Sequence, residues 1–513
     1  MTTRMTDRTQ PTELAADLER IVAAADAAAL AFADTAPRAR GAALVAVADA
    51  LQANAAELVG IAAEETGLSN ARLNGELLRT AVQLRLFGDV IVDGSYLDVR
   101  IDKADSDFVL GVRPDLRLMK LPVGPVINFA ASNFPFAFSV AGGDSAAALA
   151  AGCPLIVKAH PGHPRLSRRT GEIVAAALAD AGMPSGAFAV IEGQDEGVAV
   201  LKDPRIRAGA FTGSVRAGRF LADIAAARPT PIPFFGELGS TNPVFVTQAA
   251  IDTRADDLVT GFIGSVAGSA GQLCTKPGFV FLPEGHGLDE RITKAVSASN
   301  ESLGEQRLLN PGITRGYNGQ RDKLIDAPGV RQVVTGESRV DDAGQGWTTP
   351  TIVSLSLDEL RSQRDELLEE AFGPLSVLVE VPAGTDYAQL VSEFFVGSLT
   401  LTLQTADGEA NDDLRALVRA ASEVAGRVLF GGWPTGVAVT YAQQHGGPWP
   451  ATTNDSSTSV GTAAIGRFLR PVAYQSMPDA LLPEPVRDSN PWGVPQHIDE
   501  AGSSRSWGDA PTA

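Results

Sequence analysis

From residue 125 onward the sequence alternates short apolar runs with helical stretches, and this beat constrains the fold more than any other feature. PVINFA (125–130), PLIVKA (154–159), AFAVIEG (187–193) and AGAFTG (208–213) read as strands. Helices are expected over 135–151, starting at Pro135, and over 165–182, stopped by Gly182, with one more between the third and fourth strands and another after residue 213. Continuously apolar strands joined by helices predict a parallel, doubly wound sheet covered on both faces. Ligands of such sheets bind beyond the carboxyl ends of the strands, so the residues just after each strand matter most.

The flanking regions read differently. Residues 12–92 are Ala- and Leu-rich with helical periodicity and predict several packed helices. Residues 114–129, PDLRLMKLPVGPVINF, look like strands broken by Pro and Gly. A second mixed α/β region begins near PFFGELGSTNPVFV (233–246) and runs to about residue 465. Residues 481–513 are rich in Pro, Ser, Gly and Asp, and an extended or disordered tail is expected there. A chain of 513 residues is too long for one core, so two or more domains are expected.

Charge excludes some functions. The net charge of −19, from 42 basic and 61 acidic side chains, argues against nucleic-acid binding. It also means that an anionic ligand must be held by locally placed donors. Two cysteines, Cys153 and Cys274, cannot form a disulfide framework. The N-terminus lacks an apolar signal core and no run of about eighteen apolar residues occurs, so a cytoplasmic protein without membrane contact is expected. His160 and His163 stand close together, but no Cys or carboxylate spacing completes a zinc site, so no metal is expected.

Several residues could carry chemistry. Cys274 sits in GSAGQLCTKPG, where glycines would let backbone approach closely; it is a nucleophile or a small residue beside a turn. Glu237, in FFGELGSTNP, is a carboxylate among apolar neighbours. Desolvation there would raise its pKa and make it a general base; otherwise it is a strand-end acceptor of amide hydrogen bonds. Asn133, after the strand PVINFA, either aims its amide at an oxyanion or caps a helix. Lys158 ends the strand PLIV and either reaches a ligand or snorkels to solvent. Gly213 and Ser214, in FTGSVRAG, suit phosphate binding at a helix N-terminus or form a tight turn. Glu370, in EAFGP, is a site residue or an exposed acidic helix end.

Taken in order, SNFPF, VKAH, FTGS, ELGSTNP, GQLC and EAFGP resemble the aldehyde dehydrogenase superfamily over roughly residues 10–475. Glu237 and Cys274 lie 37 positions apart, which fits that family. The phrases PTGV, HGGPWPATT, TSVGTAAI and RFLRPVAYQ look like the branch of α-ketoglutaric semialdehyde (2,5-dioxopentanoate) dehydrogenases and the related bacterial fatty aldehyde dehydrogenases. KAHPGHP (158–164) points the same way.

The resemblance implies an α/β aldehyde dehydrogenase-like fold with a Rossmann-like cofactor-binding domain over 1–107 and 127–235 and a catalytic domain over 236–462. An oligomerisation arm would take 108–126 and 463–480, leaving 481–513 as the tail. It implies Cys274 as nucleophile, Glu237 as water-activating base and Asn133 as oxyanion donor. Lys158, Gly213, Ser214, Glu370 and Phe372 would bind the cofactor. In NAD-preferring relatives a glutamate three positions after this lysine holds the ribose; here that position is Pro161, so NADP is expected, with NAD as the alternative. Arg216 and Arg219 are candidates for its 2′-phosphate. A small-molecule aldehyde is the implied substrate, 2,5-dioxopentanoate first and an aliphatic aldehyde second. The first would need a cation at the far end of the tunnel, the second an apolar wall. A homodimer is expected, with a tetramer as the alternative.

Overall fold

The computed structural model describes residues 15–508. Val126–Phe129, Leu155–Lys158, Phe188–Ile191, Ala208–Thr212 and Phe234–Glu237 form a five-stranded, wholly parallel sheet. Val126–Phe129 lies at its centre, with Leu155–Lys158 on one side and Ala208–Thr212 on the other. Successive connections leave this strand in opposite directions, so the crevice between the ends of Val126–Phe129 and Ala208–Thr212 is the topological switch point. Four helices, Ala16–Ala33, Pro37–Ala53, Ala55–Thr66 and Asn70–Asp93, precede it. No single described helix is long and apolar enough to cross a membrane.

The second sheet has seven strands. Its centre is a parallel run of Thr351–Ser356, Leu375–Val381, Phe279–Pro283, Val244–Val246, Ser398–Gln404 and Ala425–Phe430. Arg331–Val334 joins one edge antiparallel. The two sheets meet at Glu237, whose backbone forms an isolated bridge with Thr452. Glu237 therefore closes one sheet while touching the loop that follows the other.

Three expectations are corrected. The helix predicted over 135–151 spans only Asp144–Ala151. The preceding turns are held instead by Glu76, whose Oε1 accepts from the N–H groups of Phe136 and Ala137 at 2.8 and 2.9 Å. At Gly142 a Cβ would lie 2.4 Å from the Ala137 carbonyl oxygen, so the chain doubles back where a helix would have continued. Asn133 consequently lies ahead of these turns and caps no helix.

The arm begins earlier than expected. Val99–Asp102, placed by sequence in the cofactor domain, pairs with Leu116–Pro122, which pairs in turn with Leu469–Gln475. The tail is structured through residue 508, and its last five residues lie outside the described range. Gln496–Asp499 adds a parallel fourth strand to the arm, and Leu482, Val486 and Val494 are buried against Leu97, Val99, Ile101 and Met119. A few apolar anchors and one strand suffice to order a segment whose composition is otherwise that of a linker. Arg113 adds an ion pair to Asp499 at 2.5 Å.

Replacing Leu482 by Ala is expected to cost about 2–5 kcal/mol in the arm, the usual range for a buried Leu. Differential scanning calorimetry checks this: a lowered first transition is expected, and an unchanged thermogram would contradict a packed tail.

Candidate functional site

The loop that carries Cys274 is built by an unusual turn. After the helix Gln248–Ala267, Ser269, Ala270 and Gly271 all adopt positive φ, at 55°, 53° and 61°. For the two non-glycine residues this conformation is costly and needs support from the surroundings. Gly271 can bear no side chain, since a Cβ would lie 2.4 Å from the Gly373 carbonyl oxygen in EAFGP. The turn thus presses the cysteine loop against the segment that carries Glu370.

Asn242, in GSTNP, then locks the loop to the motif that carries Glu237. Its φ is 47°, and its Nδ2 donates to the carbonyls of Cys274 and Lys276 at 2.8 and 3.0 Å. The Ser240 hydroxyl donates to Asn242 Oδ1 at 2.7 Å. The ELGSTNP and GQLC motifs are therefore one hydrogen-bonded unit. Asn133 reaches the same loop, donating from Nδ2 to the Gln272 carbonyl at 3.2 Å. A side-chain amide carries two N–H donors, so one is left for another acceptor.

At the centre stands a residue that sequence reading passed over. His445 is fully buried; its Nε2 lies 3.5 Å from Cys274 Sγ and 2.8 Å from Glu237 Oε1. The Ser459 hydroxyl donates to the other carboxylate oxygen of Glu237. Burial alone would raise Glu237, but the His445 charge and these hydrogen bonds hold it below the usual carboxylate range. The sequence expectation of a raised Glu237 is thus overturned. For His445, burial opposes the proton, yet Glu237 and Cys274 push its pKa up to about 10. An ion pair at neutral pH is the result. Sequence gave one signal for His445: it opens HGGPWPATT, a glycine-flanked stretch with no obvious core pattern.

Ligand atoms of Glu237, Cys274 and His445 all lie within 4.8 Å of one another, a cluster that sequence spacing does not reveal. The close Glu237–His445 contact already balances both charges within the trio.

The expected cofactor residues line the carboxyl ends of the first sheet. Ser214 caps the helix Val215–Ala227, its Oγ accepting from the Ala217 N–H at 3.3 Å, and Gly213 precedes it at the switch point. That helix N-terminus suits an anionic diphosphate. Lys158 ends its strand half-buried, and burial lowers its pKa. Glu370 lies in an irregular segment, not at a helix end, with its carboxylate packed over Gly239, where a Cβ would approach Oε2 to 2.5 Å. Burial pushes the Glu370 carboxyl up and the Lys276 ammonium down, each partly offset by the other's charge. Phe372 is half-buried beside them. A half-buried carboxyl, a half-buried lysine and a helix N-terminus fit a dinucleotide.

Comparison with known proteins agrees. The model of the aldehyde dehydrogenase family matches residues 5–410. The chain belongs to that family. It is an NAD(P)-dependent oxidoreductase of the aldehyde dehydrogenase fold, as the sequence resemblance implied. Alpha-ketoglutaric semialdehyde dehydrogenase 2 of Azospirillum brasilense is 43% identical over 488 residues, covering 94% of this chain and 91% of its own. Alpha-ketoglutaric semialdehyde dehydrogenase of Acinetobacter baylyi is 39% identical over 438 residues, covering 85% and 82%. Among solved structures, 1-pyrroline-5-carboxylate dehydrogenase from Thermus with bound NAD superposes with a TM-score of 0.73 at 20% identity, covering 90% of this chain and 85% of its own. That last likeness concerns the fold.

The Glu237–His445 pair has a definite pH window. Glu237 loses its share as pH falls below its depressed value, and His445 loses its share as pH rises through about 10. With His445 changed to Gln, alkylation of Cys274 by iodoacetamide at pH 7 is expected to slow about 10²-fold, the usual scale for a lost proton-transfer partner. Intact-mass spectrometry follows the reaction, and an unchanged rate would contradict a role for His445 at the thiol.

Proposed function

We propose that this aldehyde dehydrogenase oxidises 2,5-dioxopentanoate to 2-oxoglutarate through a thioester on Cys274, with NADP⁺ as the preferred cofactor. The observation that carries the mechanism is His445 Nε2 standing between Cys274 Sγ and Glu237 Oε1. The substrate reading is supported by the names of relatives at 43% and 39% identity over most of the chain.

In this reading the thiol proton passes to His445 Nε2 as the proton already there moves to Glu237 Oε1. The freed thiolate attacks the aldehyde carbon. The oxyanion that forms is held by the Asn133 amide and the Cys274 backbone N–H. Lys158, the Ser214 helix N-terminus, Glu370 and Phe372 would hold NADP⁺, which would supply a hydride acceptor for the adduct on Cys274 and so leave a thioester there. Glu237, once it has released its proton to solvent, takes a proton from water, and the hydroxide formed attacks the thioester carbonyl, breaking the bond to sulfur and expelling the Cys274 thiolate as the acid leaves. The depressed pKa of Glu237 keeps it ionised at neutral pH.

The cofactor preference is supported by the surroundings of Lys158. Pro161 presents no carboxylate to a 2′-phosphate. Glu192, at the end of the adjacent strand, is paired with Arg168 at 3.0 Å. Arg219 is paired with Asp223 and stacks on Trp449, which leaves Arg216 as the stronger candidate for the phosphate. A homodimer is supported by the arm, whose Asp105–Arg113 hairpin exposes Val109, Leu110 and Val112. Two unpaired cysteines, one of them the nucleophile, suit the reducing cytoplasm.

Steady-state kinetics with 2,5-dioxopentanoate and hexanal, each with NAD⁺ and NADP⁺, tests the proposal. A higher kcat/KM for 2,5-dioxopentanoate and for NADP⁺ is expected, with turnover abolished in Cys274→Ala. Preference for hexanal would overturn the substrate, and undiminished turnover in the variant would overturn the thiol mechanism.

A further inference from the structure

One face of the helix Asn70–Asp93 holds the loop that begins at Asn133. Arg72, Glu76, Arg79 and Gln83 follow one another at helical spacing along it. Three of them are spent on the loop. Arg72 Nη2 donates to the Asn133 carbonyl at 2.6 Å, Glu76 accepts from two backbone N–H groups, and Gln83 Oε1 accepts from the Gly143 N–H at 3.3 Å. Arg79 has no such work. Its Nη1 is buried without a hydrogen-bond partner, and among the described residues it forms no ion pair. Glu76 spends Oε1 on two backbone amides, and its Oε2 lies 4.0 Å from Arg72.

The guanidinium is linked to the reacting centre through one aromatic ring. Its Cζ stands 5.3 Å from the centroid of the Phe138 ring, and that ring lies 6.2 Å from the imidazole of His445, which touches Cys274. Burial lowers the pKa of Arg79, while the charges of Glu76, Cys274 and Glu237 act to keep its proton. A buried guanidinium without a carboxylate is costly, and a guanidinium fork is shaped to take one. A chain with net charge −19 gains no help from its overall field in attracting an anion.

We propose that Arg79 receives the carboxylate of the substrate and so selects ω-oxo acids over uncharged aldehydes. This rests on the reading of the substrate given above. In 2,5-dioxopentanoate four carbon–carbon bonds separate the aldehyde carbon from the carboxylate carbon. The chain between them would lie along Phe138, with the aldehyde at Cys274 and the carboxylate on Arg79.

The test compares 2,5-dioxopentanoate with pentanal in the wild type, Arg79→Met and Arg79→Lys. Loss of one partner of a buried charge pair predicts a fall of about 10²-fold in kcat/KM for 2,5-dioxopentanoate in Arg79→Met. The fall should reside mainly in KM, be partly rescued in Arg79→Lys, and spare pentanal. Glutarate should protect Cys274 from iodoacetamide in the wild type and not in Arg79→Met, a readout independent of turnover. Equal losses for both aldehydes, or unchanged kinetics with protection intact, would overturn the assignment. A wild type that favours pentanal would instead overturn the substrate reading beneath it.

Discussion

The contact of His445 with Glu237 and Cys274 is the constraint on which the rest of the site depends. Each partner comes from a different part of the chain: the end of the first sheet, the loop after the helix Gln248–Ala267, and the loop after the second sheet. The left-handed turn at 269–271 and the Asn242 amide exist to bring these segments within hydrogen-bonding distance. Because the trio is buried, its charges must balance internally, and they do so as an ion pair that keeps the carboxylate ionised and the imidazole protonated. A thiol beside such a pair has both a proton relay and a neighbouring cation.

The same principle of local balance operates across an acidic protein. Glu370 and Lys276 moderate each other's burial, and Lys158 sits half-buried where an anionic cofactor would meet it. Each of these groups carries a burial cost in the free protein.

Much of this was legible in the sequence. Four of the five parallel strands could be read because each is an apolar run between helical stretches, and the chemistry-bearing residues followed the strand ends as that topology requires, whereas Phe234–Glu237 had been read as the start of the second α/β region. Three things were not legible. The turns after Asn133 depend on Glu76, some sixty positions upstream, replacing helix hydrogen bonds that local propensity favoured. The pKa of Glu237 was misread because its apolar sequence neighbours are not its spatial ones: His445, 171 positions beyond Cys274, decides the sign. The C-terminal segment looked like a linker by composition, but order there rests on Leu482, Val486, Val494 and one strand, too sparse a pattern to register in a window average.

The most direct test is rapid mixing of Glu237→Gln with aldehyde and NADP⁺. Without the carboxylate His445 loses the largest support for its own proton and can take that of the thiol, so acylation proceeds, whereas thioester hydrolysis lacks its base. The account predicts a burst of about one equivalent of reduced cofactor per active site, followed by a stall, with the acyl mass found on Cys274 by intact-protein spectrometry. Steady turnover at the wild-type rate, or no burst and no adduct on Cys274, would contradict it.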